Sequence, residues 1–97
     1  MALKITGIVK SGGADNPHEA ISAYRYFDDQ TGLTDTKDRA TVVSWVKSGT
    51  PAYVIDSYGH KVYCKVNVSK SGTEFLQTYS DNIWTDNLLA LPNLAQG

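Results

Sequence analysis

The stretch Lys61–Ser69, KVYCKVNVS, decides the fold. Val62, Cys64, Val66 and Val68 fall on one side of it, and Lys61, Tyr63, Lys65 and Asn67 on the other. A period of two is that of a β-strand, whose successive side chains point to opposite faces. A helix would scatter the valines around its circumference. The segment therefore reads as a half-buried strand, in a sheet with one face on a core and one toward water.

Working outward, KSG (70–72) is a turn and TEFLQTY (73–79) the following strand. On the other side, PAYVID (51–56) is a strand that turns through SYGH (57–60) into the central one. Before it, DRATVVSWVKSG (38–49) has a helix pattern. Asp38 suits the N-cap, Val42, Val43 and Val46 make an apolar stripe, and Trp45 flanks it. Lys47 sits where a cation suits the helix dipole, Gly49 fits the left-handed position beyond the end, and Pro51 acts as a stop. Adjacent valines lower intrinsic helicity, so packing must hold this short helix in place.

At the amino-terminal end, LKITGIVKSGG (3–13) reads as a strand. Leu3, Ile5 and Val9 share one face and Lys4, Thr6 and Lys10 the other. GGADNPHE (12–19) gathers turn formers, including Pro17. AISAYRYF (20–27) resumes a strand, with Tyr24 and Tyr26 on one face and Ile21, Ala23 and Phe27 on the other. These two strands should pair as an antiparallel hairpin, while the polar DDQTGLTDTKD (28–38) reads as a turn-rich connection. The expected order is β-β-α-β-β-β. This makes a single α+β domain over residues 1–97, an antiparallel sheet of about five strands with one main helix packed on it.

The ending NIWTDNLLALPNL (82–94) concentrates Ile83, Trp84, Leu88, Leu89, Leu91 and Leu94. Trp84, Leu88 and Leu91 are spaced i, i+4, i+7, which suits a short helical turn capped by Thr85 or Asp86 and stopped by Pro92. Burying a leucine stabilises by about 1.5–3 kcal/mol, and the same leucines left exposed would invite aggregation. Residues 82–94 are therefore expected to form an apolar strap on the domain's own core.

The residues TYSDNIWTDNLLALP (78–92), after a strand ending EFLQT, resemble the closing signature of a family of small, mostly bacterial proteins. That family is catalogued as domain of unknown function 3892. Its opening strand would correspond to KITGIVKSGG, its helix with a Trp-hydrophobic-x-x-Gly end to TVVSWVKSG, and its meander to VYCKVNV. Its close would correspond to Thr78, Asp81, Asn87, Leu88, Leu89, Leu91 and Pro92. The segment FDDQTGLTDTKD departs from the pattern like an insert. The resemblance implies that the ending belongs to the domain, and it brings no activity with it.

Composition narrows the function classes. At 97 residues, 41% hydrophobic and 20% charged, the chain is an ordinary small globular domain. A net charge of −1 supplies no overall field toward nucleic acid or an anionic membrane, leaving room only for a local basic stripe. MALKITGIVK has no apolar signal-peptide core, and no apolar run approaches the roughly 20 residues that span a bilayer. The lone Cys64 forms no internal disulfide. A cytoplasmic protein with no membrane contact is expected.

No catalytic or metal constellation emerges. His60 and Cys64 share a strand face but lie roughly 13 Å apart, too far for a nucleophile and its base. His18, His60 and Cys64 lack metal-site spacing, and the SGG and SGT stretches match no phosphate loop. Asp28, Asp29, Asp35 and Asp38 read as loop acids and a helix cap rather than a cation site. No cofactor is expected.

The candidate binding surface is Lys61, Tyr63 and Lys65, a charged row around a stacking plane. A second patch is Tyr24, Arg25 and Tyr26, provided their face is open. The expectation is a small non-enzymatic module whose partner is another protein, with a homodimer through an edge strand compatible. The alternatives are a nucleic-acid-binding accessory using Lys61, Tyr63 and Lys65, and a small-ligand binder, which would need a pocket.

Overall fold

The computed structural model describes residues 2–10, 21–80 and 82–92. The turn formers at 12–19, with Pro17 and His18, lie outside the described residues, as do Asp81 and Leu94. The strands are β1 (Leu3–Lys10), β2 (Ile21–Asp28), β3 (Thr34–Asp38), β4 (Ala52–Ile55), β5 (Lys61–Val68), β6 (Glu74–Ser80) and β7 (Ile83–Thr85). Helix α1 (Arg39–Lys47) joins β3 to β4, and a 3-10 turn spans Asn87–Ala90. The strands form one seven-stranded sheet in the order β3-β2-β1-β4-β5-β6-β7.

The α+β class holds, with two strands more than the pattern suggested and one parallel pair. The sequence of β3 reads as a connection because all its residues are exposed, so no apolar alternation marks it. It forms because Thr34 to Asp38 pair with Phe27 to Ala23 of β2. β1 and β4 run parallel, Leu3 beside Ala52 and Lys4 beside Tyr53. Parallel neighbours need a crossover, and α1 supplies it.

α1 begins where the sequence placed its cap. The Asp38 carboxylate accepts from Thr41 N at 3.3 Å. At its end, Gly49 takes a φ of +104°, a conformation costly for any residue with a Cβ.

The helix covers one face of the sheet, and the core lies between them. Leu3, Ile5 and Ile8 of β1 meet Ile21, Tyr24 and Tyr26 of β2 there. Val42 and Val43 of the helix, Val54, Val62, Cys64, Leu76 and Leu88 complete the cluster. Trp45 stands edge-on to Tyr26, ring centres 5.7 Å apart.

Two irregularities correct the faces read from alternation. The β1–β2 register slips between Ile5 and Gly7, so Thr6 is an extra residue and Ile8, not Val9, follows Leu3 and Ile5 inward. A second slip at Ser22 turns Ile21 to the same side as Tyr24 and Tyr26.

The sheet is strongly curled. The Tyr24 hydroxyl on β2 accepts from the Leu76 backbone N–H on β6 at 3.1 Å. Four strand spacings separate β2 from β6, about 19 Å in a flat sheet, well beyond the reach of a tyrosine. Only a sheet wrapped around its helix brings them together. Burial pushes the Tyr24 phenol up to about 12.

The ending differs from the expected helical face. Residues 83–85 pair back on β6, with Trp84 beside Tyr79, across a turn in which Asn82 takes a φ of 64°. Asn tolerates that left-handed conformation. Trp84 therefore points away from the core, while Leu88 is completely buried and Leu89 and Leu91 are partly so. Asp86 stands at the start of the 3-10 turn but makes no side-chain cap bond there. Pro92 O accepts from Ile8 N at 3.0 Å, beside the bulge of β1.

Thr78 ties this corner together. Its hydroxyl lies 2.6 Å from Thr85 Oγ1 and accepts from Asn87 N at 3.3 Å. Asn87 Nδ2 donates to Thr85 Oγ1 at 3.3 Å. Thr78 and Asn87 of the closing motif are thus joined by hydrogen bonds, while its Leu88 is buried in the core. No helix among the described residues is long and apolar enough to cross a membrane.

Candidate binding face

The face of the sheet opposite α1 carries a row of side chains that strand pairing sets side by side. Thr34 of β3 pairs with Phe27 of β2, Phe27 with Lys4 of β1, Lys4 with Tyr53 of β4, and Tyr53 with Tyr63 of β5. The β5–β6 register, carried one residue past Cys64 and Thr78, sets Tyr63 beside Tyr79. Tyr79 in turn pairs with Trp84 of β7. The row crosses the whole sheet.

Its rings touch each other and the cations around them. Tyr53 and Tyr63 have ring centres 5.8 Å apart, and Tyr79 and Trp84 4.9 Å apart. Lys61 lies diagonal to Tyr53, with its Nζ 4.7 Å from the ring centre; Lys65 lies diagonal to Tyr79 at 4.3 Å. Lys4 stands 5.7 Å over Phe27, its direct partner. Each is within the range where ring quadrupole and cation attract. Tyr53 is only 4% exposed, whereas Tyr63 is 50% and Trp84 39% exposed. Tyr63 and Trp84 are therefore the open planes.

Charge is sorted across the molecule. Among the described residues, no ion pair engages Lys4, Arg25, Lys61 or Lys65. Of the described acids, Asp29 reaches the row itself, while Asp28, Asp35, Asp38, Asp56 and Glu74 are used away from it. Asp29 accepts from Tyr53 Oη at 2.8 Å, Asp28 from Gln30 N, and Asp38 caps α1. Glu74 holds Lys47 at 2.9 Å, and Asp35 lies 3.5 Å from Lys37. Asp56 accepts from Tyr58 N and His60 N in the β4–β5 turn, and these bonds, the one from His60 foremost, lower its carboxyl below the usual range. Burial, and then the bond to Asp29, push the Tyr53 phenol up to about 12.

At the β1–β2 end of the face, Lys4, Thr6, Arg25, Phe27 and Thr34 line an open depression of about 300 Å³. The bulge at Thr6 shapes it. Thr6 and Gly7 both oppose the outward side of β2, and Thr6 Oγ1 donates to Arg25 O at 3.4 Å.

Of the residues singled out from sequence, Lys61, Tyr63, Lys65 and Arg25 come together on this face. Tyr24 and Tyr26 do not: they point into the core, 0% and 8% exposed. Their alternation with Arg25 was legible, but it gave no sign of which side was covered. Lys4, Phe27, Tyr53, Tyr79 and Trp84 were missed as site residues. The outward parity of each was readable in its own strand; the order in which strands pair, which makes them one row, was not.

His60 is exposed in its turn, its Nδ1 3.9 Å from Asp56. Cys64 is buried on the other face, and burial pushes its thiol up to about 12. Among the described residues, no group of three or more His, Cys, Asp or Glu side chains is placed to hold a metal ion.

The family model described as "Protein of unknown function (DUF3892)" matches residues 4–92, and the chain belongs to that family, as its closing motif implied. No curated protein and no solved structure matches the chain.

Proposed function

We propose that this member of the DUF3892 family acts by binding rather than by chemistry, and that the face of its sheet turned away from α1 is the working surface. One observation carries the reading. Phe27, Lys4, Tyr53, Tyr63, Tyr79 and Trp84 form one cross-strand row, while α1 and the 3-10 turn cover the opposite face. Aromatic side chains and Arg are the residues favoured at recognition surfaces.

A non-catalytic role is supported by the state of the two nucleophile-chemistry residues. A thiol displaced to about 12 is protonated at neutral pH, the reverse of the depressed pKa that makes a cysteine nucleophilic. His60 stands exposed in the β4–β5 turn, whereas Cys64 is buried. A protein partner, as composition suggested, and a nucleic acid both make use of such a face. Lys4, Lys61 and Lys65, which no ion pair engages among the described residues, tilt the reading toward an anionic occupant.

The test is affinity capture from native lysate with the wild-type chain, a Tyr63→Ala/Lys65→Ala variant, and a Lys37→Ala variant on the β3 edge as control. Capture by wild type and by Lys37→Ala, lost with the face variant, is the expected result. A captured set that does not change with the face variant overturns the assignment of the surface.

A further inference from the structure

We infer that the occupant of this face is single-stranded nucleic acid, bases stacked on Tyr63 and Trp84 and phosphates held by Lys4, Arg25, Lys61 and Lys65. The inference rests on the binding role just proposed and names its ligand class.

The face offers two things in alternation: flat rings and fixed cations. Lys61 and Lys65 precede and follow Tyr63 by two residues on β5, so each stands about 7 Å along the strand from it, on the same side. Their ammonium groups are held over the rings of Tyr53 and Tyr79. Positive charge is therefore stationed on both flanks of the half-exposed Tyr63 plane, which itself lies under neither lysine. A ligand that matches this must carry negative charge and a flat ring in every repeating unit. A nucleotide chain does; an acidic peptide carries the charge without the rings.

The second end of the row repeats the combination. Lys4 and Arg25 frame the Phe27 ring around the depression at the Thr6 bulge. Stacking on sheet aromatics combined with backbone-tracking cations is the general mode by which sheets bind single strands. A duplex hides its base faces and would leave the rings unused. The overall charge of −1 does not oppose this. Asp29 is the carboxylate bonded to a residue of the row, at Tyr53, and Lys4, Arg25, Lys61 and Lys65 outnumber it; Asp28 and Asp56 lie at turns, Asp38 at the helix cap, and Asp35 and Glu74 beside Lys37 and Lys47. At physiological salt, where screening is effective beyond about 8 Å, a phosphate on the face senses the local cations first.

The experiment is fluorescence anisotropy of the full chain with a labelled oligouridine of about 12 nucleotides, within the range such sites cover. Binding is titrated against salt, with oligothymidine, duplex DNA and polyglutamate as competitors. Saturable binding is expected, with log K falling against log salt at a slope of up to about −2.8 if all of Lys4, Arg25, Lys61 and Lys65 meet phosphates. Tyr63→Ala should weaken binding by about 5- to 150-fold, the loss of one stacked base, with the slope unchanged. Tyr63→Phe should keep it. Lys61→Ala/Lys65→Ala should flatten the slope by about 1.4. Melting curves matching wild type show that the variants are folded. Two outcomes overturn the inference. One is competition by polyglutamate as strong as by oligothymidine together with an inert Tyr63→Ala, which would mark a bare cation patch. The other is no saturable binding even at low salt. In that second case, face-dependent capture of a protein from lysate would leave the binding role standing and give the surface to a protein. Loss of both results would remove the role and its ligand together.

Discussion

Tyr24 on β2 and Tyr63 on β5 are tyrosines of the same sheet, yet one is 0% exposed and the other 50%. Tyr24 looks inward, and its hydroxyl satisfies the Leu76 N–H across the curl of the sheet. Tyr63 looks outward and meets Tyr53, with Lys61 and Lys65 on either side. The inner face is built of contacts that close over one another: Trp45 on Tyr26, Leu88 in the cluster, Pro92 O on Ile8 N. The outer face is built of contacts that leave one side open. The lesson is that strand residues of one type do different work according to what covers them. Stability should reside in the inner set and recognition in the outer set.

The largest effect is expected at Leu88. Its side chain is wholly buried in the core cluster, although it belongs to a turn of only four residues. Leu88→Ala should lower unfolding free energy by about 2–5 kcal/mol, the usual range for a truncated core leucine. Denaturant titration checks it, with an unchanged m-value expected. A loss below ~1 kcal/mol would mean that the ending adds little to the inner face, and the contrast with Trp84 on the open side would collapse.

Next is Tyr24. Tyr24→Phe removes the acceptor of a buried N–H, which costs about 1–3 kcal/mol when nothing replaces it. The pH dependence gives a second readout. The phenol ordinarily ionises near 10.0 but is held protonated to about 12 in the folded state. Its contribution is complete below pH 10 and is lost as pH rises through 12, because the unfolded chain releases the proton first. Tyr53 and Cys64, both also displaced to about 12, act in the same direction, the thiol from its ordinary 9.0. Alkaline unfolding between about pH 9 and 12 is therefore expected, and Tyr24→Phe should make stability fall less steeply there. A variant with the same slope as wild type would show that the inner tyrosine is not the group being titrated.

How far this division was legible from sequence depends on the kind of signal. Strands β4, β5 and β6 announced themselves because one face of each is covered, and Asp38, Gly49 and Pro51 bounded the helix by their own backbone chemistry. β3 did not, since its neighbours leave every side chain in water and Thr-Asp-Thr-Lys has no apolar rhythm. Nor did β7, because the spacing of Trp84, Leu88 and Leu91 imitates a helical face although Trp84 pairs with Tyr79 on one side and Leu88 is buried on the other. The Asp81-Asn82 pair was the available clue, a turn dipeptide between strand-like runs. The bulges at Thr6 and Ser22 left no compositional mark, so Val9 and Ile21 were placed on the wrong sides. The site follows the same rule. Lys61, Tyr63 and Lys65 lie in one strand and were readable; their alignment with Lys4, Tyr53 and Tyr79 depends on which strands pair, including a parallel pair made by the crossover.

A smaller effect lies where the helix meets the sheet edge. Asp38 is both the last residue of β3 and the cap of α1, accepting from Thr41 N. Asp38→Ala should cost about 1 kcal/mol and Asp38→Asn much less, since both Asp and Asn cap well. Equal losses for the two would point to charge rather than the cap hydrogen bond. Neither change touches the outer row, so binding by the face should survive both.

The smallest stability effect should come from the residue with the shortest cation–ring distance on the outer face. Lys65 Nζ lies 4.3 Å from the Tyr79 ring centre, and an exposed contact of that kind contributes about 0.5–1 kcal/mol. Lys65→Ala should therefore shift the unfolding midpoint only slightly, and Lys65→Arg, which keeps charge and can stack on the ring, should recover most of that. Capture by the face should respond in the opposite proportion, weakened well beyond what the change in stability explains, because the cation flanking Tyr63 is gone. If Lys65→Ala instead unfolded the chain by 2 kcal/mol or more, a magnitude about that of a core truncation, Lys65 would be holding the sheet together rather than waiting for a ligand. The outer row would then be a second structural face, differing from the inner one only in being wet.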